Sequence, residues 1–255
     1  MSSAGASAKL RAPCFVGCAS WSLPRDAQQL FPGEGSHLQR YARQLAAAEI
    51  NSSFHRAHSH ATYARWAASV PPGFRFAAKL PKTITHERKL RDCGALLHEF
   101  LGQASGLGDR LGCLLVQLPP SLAFDQPLAS EFFAQLREAW AGPVCAEPRH
   151  GSWFGEDAQQ FLESQQVARV LADPVRHAGG ERPGGWAGLV YLRLHGAPRT
   201  YYSSYPAEQL AALARRMALA LSEQRPVWCI FDNTAAGAAT HNALVLQQWL
   251  DKEPA

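Results

Sequence analysis

Short apolar runs alternate with helix-period segments along most of this chain. Runs at 15–20, 47–52, 74–80, 113–118, 144–147, 168–172, 189–194 and 227–231 are mostly apolar at successive positions, not only at every second one. Strands buried on both faces, as in a parallel sheet covered by helices, have this pattern. Between them, segments 37–47, 60–70, 94–108, 127–140, 156–166, 206–224 and 241–252 have a helical pattern, with apolar residues three and four apart in PLASEFFAQLREAW. That is the period of a helix with one buried face. Eight strands with helical crossovers predict an α/β fold: a single (β/α)8 TIM barrel over 13–252, with a doubly wound open sheet as the alternative. Residues 173–188, DPVRHAGGERPGGWAG, break the pattern. Their Gly and Pro content and lack of helical period predict a loop with a degenerate helix between strands 6 and 7, and leave open whether it closes over the site. Residues 1–12 are small and polar and predict a disordered tail.

Six of the apolar runs end in a polar or charged cluster: AEINSSF, AAKLPKTITH, LVQLPP, CAEPRHGSW, LRLHG and IFDNT. In a closed α/β barrel the C-terminal strand ends carry the chemistry, so these clusters predict one polar site. Glu147 and Arg149 share a face if the strand persists past Pro148, and an Arg beside a Glu favours the carboxylate. Arg193 and His195 alternate along one strand and face one side, with Gly196 leaving room beside them. Arg offers a fork for carboxylate or phosphate, and His suits proton transfer near neutral pH. Glu49 and Asn51 share a face, and Glu49 stands in apolar company that demands a partner. Lys79 sits inside FRFAAKL under the same constraint. His150, Gln117, Asp173, Asp232 and Asn233 add hydrogen-bonding groups, His86 lies in a loop after strand 3, and Trp21 and Trp153 offer planes for a sugar or base. For each of these the plain alternative is an ion pair, a satisfied histidine or a packing aromatic.

Composition narrows the classes. The 255 residues suit one barrel, and 47% hydrophobic content supports a substantial core. Net charge is +4 with Lys and Arg scattered, so no nucleic-acid arm stands out. No apolar run is long enough to span a membrane, and no secretory leader is recognisable. Six cysteines without a CxxC pair predict reduced core thiols and a cytoplasmic location. No dinucleotide or P-loop motif appears, and no cofactor is expected. A divalent metal is the variant that the donor types of Glu49, Glu147, Asp173, His195 and Asp232 leave open, although no HxH or HExxH is present.

Taken together, VGCASWS, EINSSF, FRFAAKLPKTITH, QLPPS, AEPRHGSW, YLRLHG and FDNTAAGAATHNA resemble the YecE-like family, domain of unknown function 72, from about Phe15 to Leu250. The resemblance implies a TIM barrel. It also implies recurrent polar positions at Glu49, Asn51, Lys79, His86, Gln117, Glu147, Arg149, His150, Trp153, Arg193, His195, Asn233 and Asn242, and it implies no established reaction. The chain departs from the family pattern at Ala19, Leu23, His55, Pro148 and Asp232.

The expected function is an enzyme acting by acid/base chemistry on a small anionic or sugar-like molecule. His195, Glu147, Glu49 and Lys79 are the catalytic candidates. Arg149, Arg193, His150, Asn51, Gln117, His86, Trp21, Trp153, Asp173, Asp232 and Asn233 are the binding candidates. A hydrolase, lyase or isomerase fits equally. A nucleic-acid binding or processing protein and a non-catalytic small-molecule binder are the alternatives, and the oligomeric state is open.

Overall fold

The structure, a computed structural model, describes residues 12–253. The tail expected over 1–12 lies outside these residues except for Ala12, which is buried against the core. The fold is mixed α/β and is built around one ten-stranded, nearly closed, barrel-like sheet. Its strands are β1 (Cys14–Cys18), β2 (Ala47–Ile50), β3 (Arg75–Lys79), β4 (Leu111–Gln117), β5 (Val144–Glu147), β6 (Val167–Arg169), β7 (Leu171–Asp173), β8 (Gly184–Gly185), β9 (Val190–Leu194) and β10 (Val227–Phe231). They run in the order β7-β9-β10-β1-β2-β3-β4-β5-β6-β8. Every pairing is parallel except that of β8 with β6.

The run expected as one strand over 168–172 divides at Val170. Its first part pairs with β5, its second with β9, and the Val170 N–H still donates to Ala146 O at 2.8 Å. β6 and β7, on opposite sides of the strand order apart from the short β8, therefore meet at a single residue. Helices α1 (His37–Tyr41), α2 (His60–Ala68), α3 (Gly94–Ala104), α4 (Gln126–Ala139), α5 (Glu156–Ser164), α6 (Ala207–Ser222) and α7 (Ala238–Leu250) follow the predicted segments. Residues 174–189 contain no helix, only β8.

Side chains alternate along the strands as the pleat requires. One set, including Val16, Ile50, Phe76, Val116, Leu192 and Phe231, packs in the large apolar cluster that includes residues of the surrounding helices. The other set fills the interior: Ala47, Ala77, Cys113, Leu115, Cys145, Ala168, Tyr191, Trp228 and Ile230. Continuing the inward parity toward the C-terminal strand ends gives Glu49, Lys79, Gln117, Glu147, Arg193 and Asp232. The alternation thus places an apolar floor below a charged layer. All six cysteines are free, five of them buried. Among the described residues no helix is long and apolar enough to cross a membrane.

Candidate active site

Arg193 is the centre of the charged layer and is fully buried. Its Nε and Nη2 donate to the two oxygens of Glu49, at 3.0 and 2.6 Å. Nη1 donates to Glu147 Oε2 at 2.6 Å, and Nη2 also donates to Asp232 Oδ2 at 3.1 Å. A guanidinium has five N–H donors in a rigid fork, and these contacts match that fork. Tyr191, two residues earlier on the same face, donates its hydroxyl to Glu49 Oε2 at 2.9 Å. Glu49 is fully buried and has its partners inside the barrel. Arg193 is thus engaged by three carboxylates of the protein itself.

His195 lies between two carboxylates. Nδ1 is 2.9 Å from Asp232 Oδ2, and Nε2 is 3.0 Å from Glu147 Oε1. Arg149 Nη2 lies 3.2 Å from the same Nε2 and 2.5 Å from Glu147 Oε1. A protonated ring donates to both carboxylates. A neutral ring donates to Asp232 and accepts from Arg149 in one tautomer, and donates to Glu147 in the other. Both states are therefore hydrogen-bonded in one geometry. Gln117 Nε2 donates to Glu147 Oε2 at 3.0 Å, and Asn51 Nδ2 reaches Asp232 Oδ1 at 3.5 Å.

These surroundings set the charges. Burial alone would raise the Glu147 carboxyl, but Arg193, His195 and Arg149 hold it well below the usual carboxylate range. Asp232 is likewise lowered, because Arg193 and His195 outweigh its burial. Lys79 is pushed down from 10.5 to about 8, first by burial and then by Arg193, against the opposing pull of Glu49, Glu147 and Asp232. Its Nζ rests 4.0 Å from the centre of the Phe54 ring. His86 projects from a π-helical turn, Thr83–Glu87, that follows β3. Its ring is lowered by burial and by nearby Lys79 and Arg149.

Local structure explains how these groups are held. The Ser53 hydroxyl is shared between the carbonyls of Ile50 and Lys79, at 2.7 and 2.6 Å, tying the ends of β2 and β3 together. Gly196, at φ +91°, turns the chain directly after His195. A side chain there would meet Ser203 O at 2.8 Å.

The remaining candidates make other contacts. Trp153 is buried behind β5, its Nε1 donating to Leu122 O at 3.0 Å, which leaves no face for a sugar. Trp21 packs edge-on against Trp66 and Phe76. His150 caps the short 3-10 helix Gly151–Phe154 by accepting from the Ser152 N–H. Asn233 faces away from the interior and holds Ser203 O and Asn242 Oδ1, at 2.9 and 2.8 Å. The Asp173 carboxyl stands beside the Tyr205 hydroxyl at 3.4 Å. Among the described residues no three His, Cys, Asp or Glu side chains gather in a metal-binding arrangement. Glu49, Glu147 and Asp232 share the Arg193 guanidinium instead. The loop after β7 docks beside the mouth, with His177 Nε2 3.0 Å from Arg149 O.

Three contributors were not singled out from sequence. Tyr191 was readable, since it shares the period-two face of Arg193 and His195. Phe54 follows Ser53 in the strand-2 motif. Tyr201, whose ring stands edge-on 5.8 Å from His195, comes from a loop and has no local signal.

A family described as "Protein of unknown function DUF72" matches residues 15–255. The UPF0759 protein YecE of Escherichia coli K12 is 30% identical over 165 residues, a stretch spanning 62% of this chain and 58% of YecE. A DUF72 family protein from Enterococcus faecalis V583 superposes with a TM-score of 0.78 at 22% identity, covering 95% of this chain and 97% of that one. A second, from Thermotoga maritima, gives 0.76 at 23% identity, covering 94% and 100%. At these identities the two structures speak for the fold alone.

Proposed function

The chain belongs to the DUF72 family, whose description assigns no function, and we propose from its own geometry that it is an acid–base enzyme acting on a small anionic or sugar-like molecule. The observation that carries this reading is His195, hydrogen-bonded in both protonation states without moving. A ring so held can accept and return a proton with little reorganisation, as a general acid/base must. Asp232 is the partner that meets the mouth, with its side chain 12% exposed against 1% for Glu147. It would take a substrate proton and pass it to Nδ1 of His195 in the tautomer whose Nε2–H is donated to Glu147, leaving an imidazolium donated to both carboxylates with Arg149 beside the far nitrogen. Glu49 and Arg193 keep the layer in place from below. We read 167–173 as one strand bent at Val170. With the short antiparallel β8 set aside as well, the sheet reads as an eight-stranded (β/α)8 barrel with its sixth helix missing, and its mouth as the C-terminal strand ends where such barrels react substrates. The free thiols suit a reducing, cytoplasmic setting.

The test is solvent exchange. Sugar acids and sugar phosphates are incubated with the protein in D2O and followed by NMR. Wild type should convert one class or exchange a C–H proton, and His195→Gln should slow this by about 10²–10⁴-fold, the usual contribution of a general acid/base. A wild type inert to the whole panel, or an unaffected His195→Gln, refutes the reading.

A further inference from the structure

Lys79 differs from the two arginines of the mouth. Arg193 and Arg149 are each bound to carboxylates. Lys79 is 7% exposed, and among the described residues its ammonium has no hydrogen bond or ion pair, only the Phe54 ring. Buried charges are ordinarily paired. The carboxylates that could pair with it, Glu49, Glu147 and Asp232, are already held by Arg193, Arg149 and His195.

Two other polar atoms nearby are also unsatisfied. Arg149 Nε is a buried donor without a partner, and Asn51 Oδ1 is a buried acceptor without one. The mouth is thus polarised. Unmatched donors belong to Lys79 and Arg149, close enough to His86 that both depress its ring. The unmatched acceptor belongs to Asn51, whose amide reaches Asp232.

We propose that Lys79, with Arg149 and His86, forms an anion subsite that takes the carboxylate or phosphate of a small hydroxylated acid, whose hydroxyl end reaches Asn51 and Asp232. The hydroxyl half of this assignment rests on the acid–base reading of Asp232 and His195. The anion half stands without it. An anion would give the buried ammonium a partner, the kind of charge-assisted contact that is roughly twice as strong as a neutral one. The charged and titratable groups that bear on Lys79 are Arg193, Glu49, Glu147 and Asp232, with His86 beside it. Because burial and Arg193 hold Lys79 at about 8, anion binding should weaken as pH rises through that value.

The test is binding, not turnover. Inorganic phosphate and D-glycerate are titrated separately, with glycerol as the uncharged control, at low ionic strength. Thermal unfolding and tryptophan fluorescence report occupancy at pH 7 and pH 9.5. Wild type should bind at least one anion at pH 7, with affinity lower by about tenfold at pH 9.5. Lys79→Met should bind about tenfold more weakly at pH 7, and Lys79→Arg should bind alike at both pH values. The exposed Lys252→Met should behave as wild type. Stronger binding of phosphate would identify a phosphate ester, and stronger binding of glycerate a carboxylic acid. No binding of either anion, undiminished binding by Lys79→Met, or a wild type insensitive to pH overturns the proposal. Binding without deuterium exchange would sink the acid–base reading and leave the subsite standing, and the reverse pattern would do the opposite.

Discussion

A buried ammonium without an ion pair of its own destabilises the fold that holds it, and Lys79 is such a group. Its pKa falls from 10.5 to about 8, so the unfolded chain keeps a proton that the folded chain releases between those values. Stability therefore rises with pH across that window. Below about 8 the full penalty is present, and above 10.5 it is gone. At 1.36 kcal/mol per pH unit the difference is roughly 3 kcal/mol. Lys79→Met should thus be more stable than wild type at pH 7, by up to about that amount, with the gap closing toward pH 10.5. Urea unfolding at the two pH values measures it, and a variant weaker than wild type at pH 7 contradicts the account. A residue that costs stability while its neighbours are well paired is a mark of function. The sequence showed Lys79 as a charge among apolar residues. It did not show that Glu49 pairs with Arg193 and not with Lys79, because that choice depends on strands 144 residues apart in the chain.

The seam between β1 and β2 positions Glu49 through a close backbone approach. Pairing there covers only Gly17 with Ala47 and Cys18 with Ala48. A Cβ on Gly17 would lie 1.9 Å from Ala47 O, so only glycine fits. Tyr41, just before the turn into β2, bridges the seam. Its hydroxyl accepts from the Cys18 N–H at 2.7 Å and donates to Ala47 O at 2.8 Å. Both backbone groups are buried, and leaving one unpaired costs about 1–3 kcal/mol. Tyr41→Phe should therefore lose more than about 2 kcal/mol in urea unfolding, and a loss within about 0.5 kcal/mol would show that the bridge is dispensable. At this scale much was legible. Apolar runs and helical periods located the strands and helices, since both patterns arise from burial within each element. The division of 167–173 was not, because VARVLAD is apolar enough for one strand and only the neighbours decide where the pairing changes. The roles of Trp153 and Trp21 were hidden for the same reason. An aromatic after a strand can face the mouth or the helices, and the turn that follows selects between them.

At the scale of the whole molecule, the charged layer sits inside the sheet, so its titration is coupled to folding. The apolar floor of Ala47, Cys113, Cys145, Tyr191 and Ile230 below it admits no counter-charge. The carboxylates of the layer are therefore held by its own members: Arg193, Arg149 and His195 around Glu49, Glu147 and Asp232. Glu147 and Asp232 titrate below their usual values of 4.5 and 3.8. A lowered carboxyl contributes stability that is complete above its unfolded value and is lost as pH falls toward its folded one. The unfolded chain takes up these protons below about pH 4.5, while the folded layer resists them. Acid should therefore unfold the barrel as a unit, because protonating Glu147 leaves the fully buried Arg193 short of charge. Removing one partner of a buried pair costs about 3–5 kcal/mol. Glu147→Gln should accordingly start less stable at pH 7 and lose less on acidification, so that the two curves converge below about pH 4. Urea midpoints from pH 7 to pH 3 compare them directly. Parallel curves would mean that the acid limit lies outside this layer, and that the barrel does not depend on the network at its mouth.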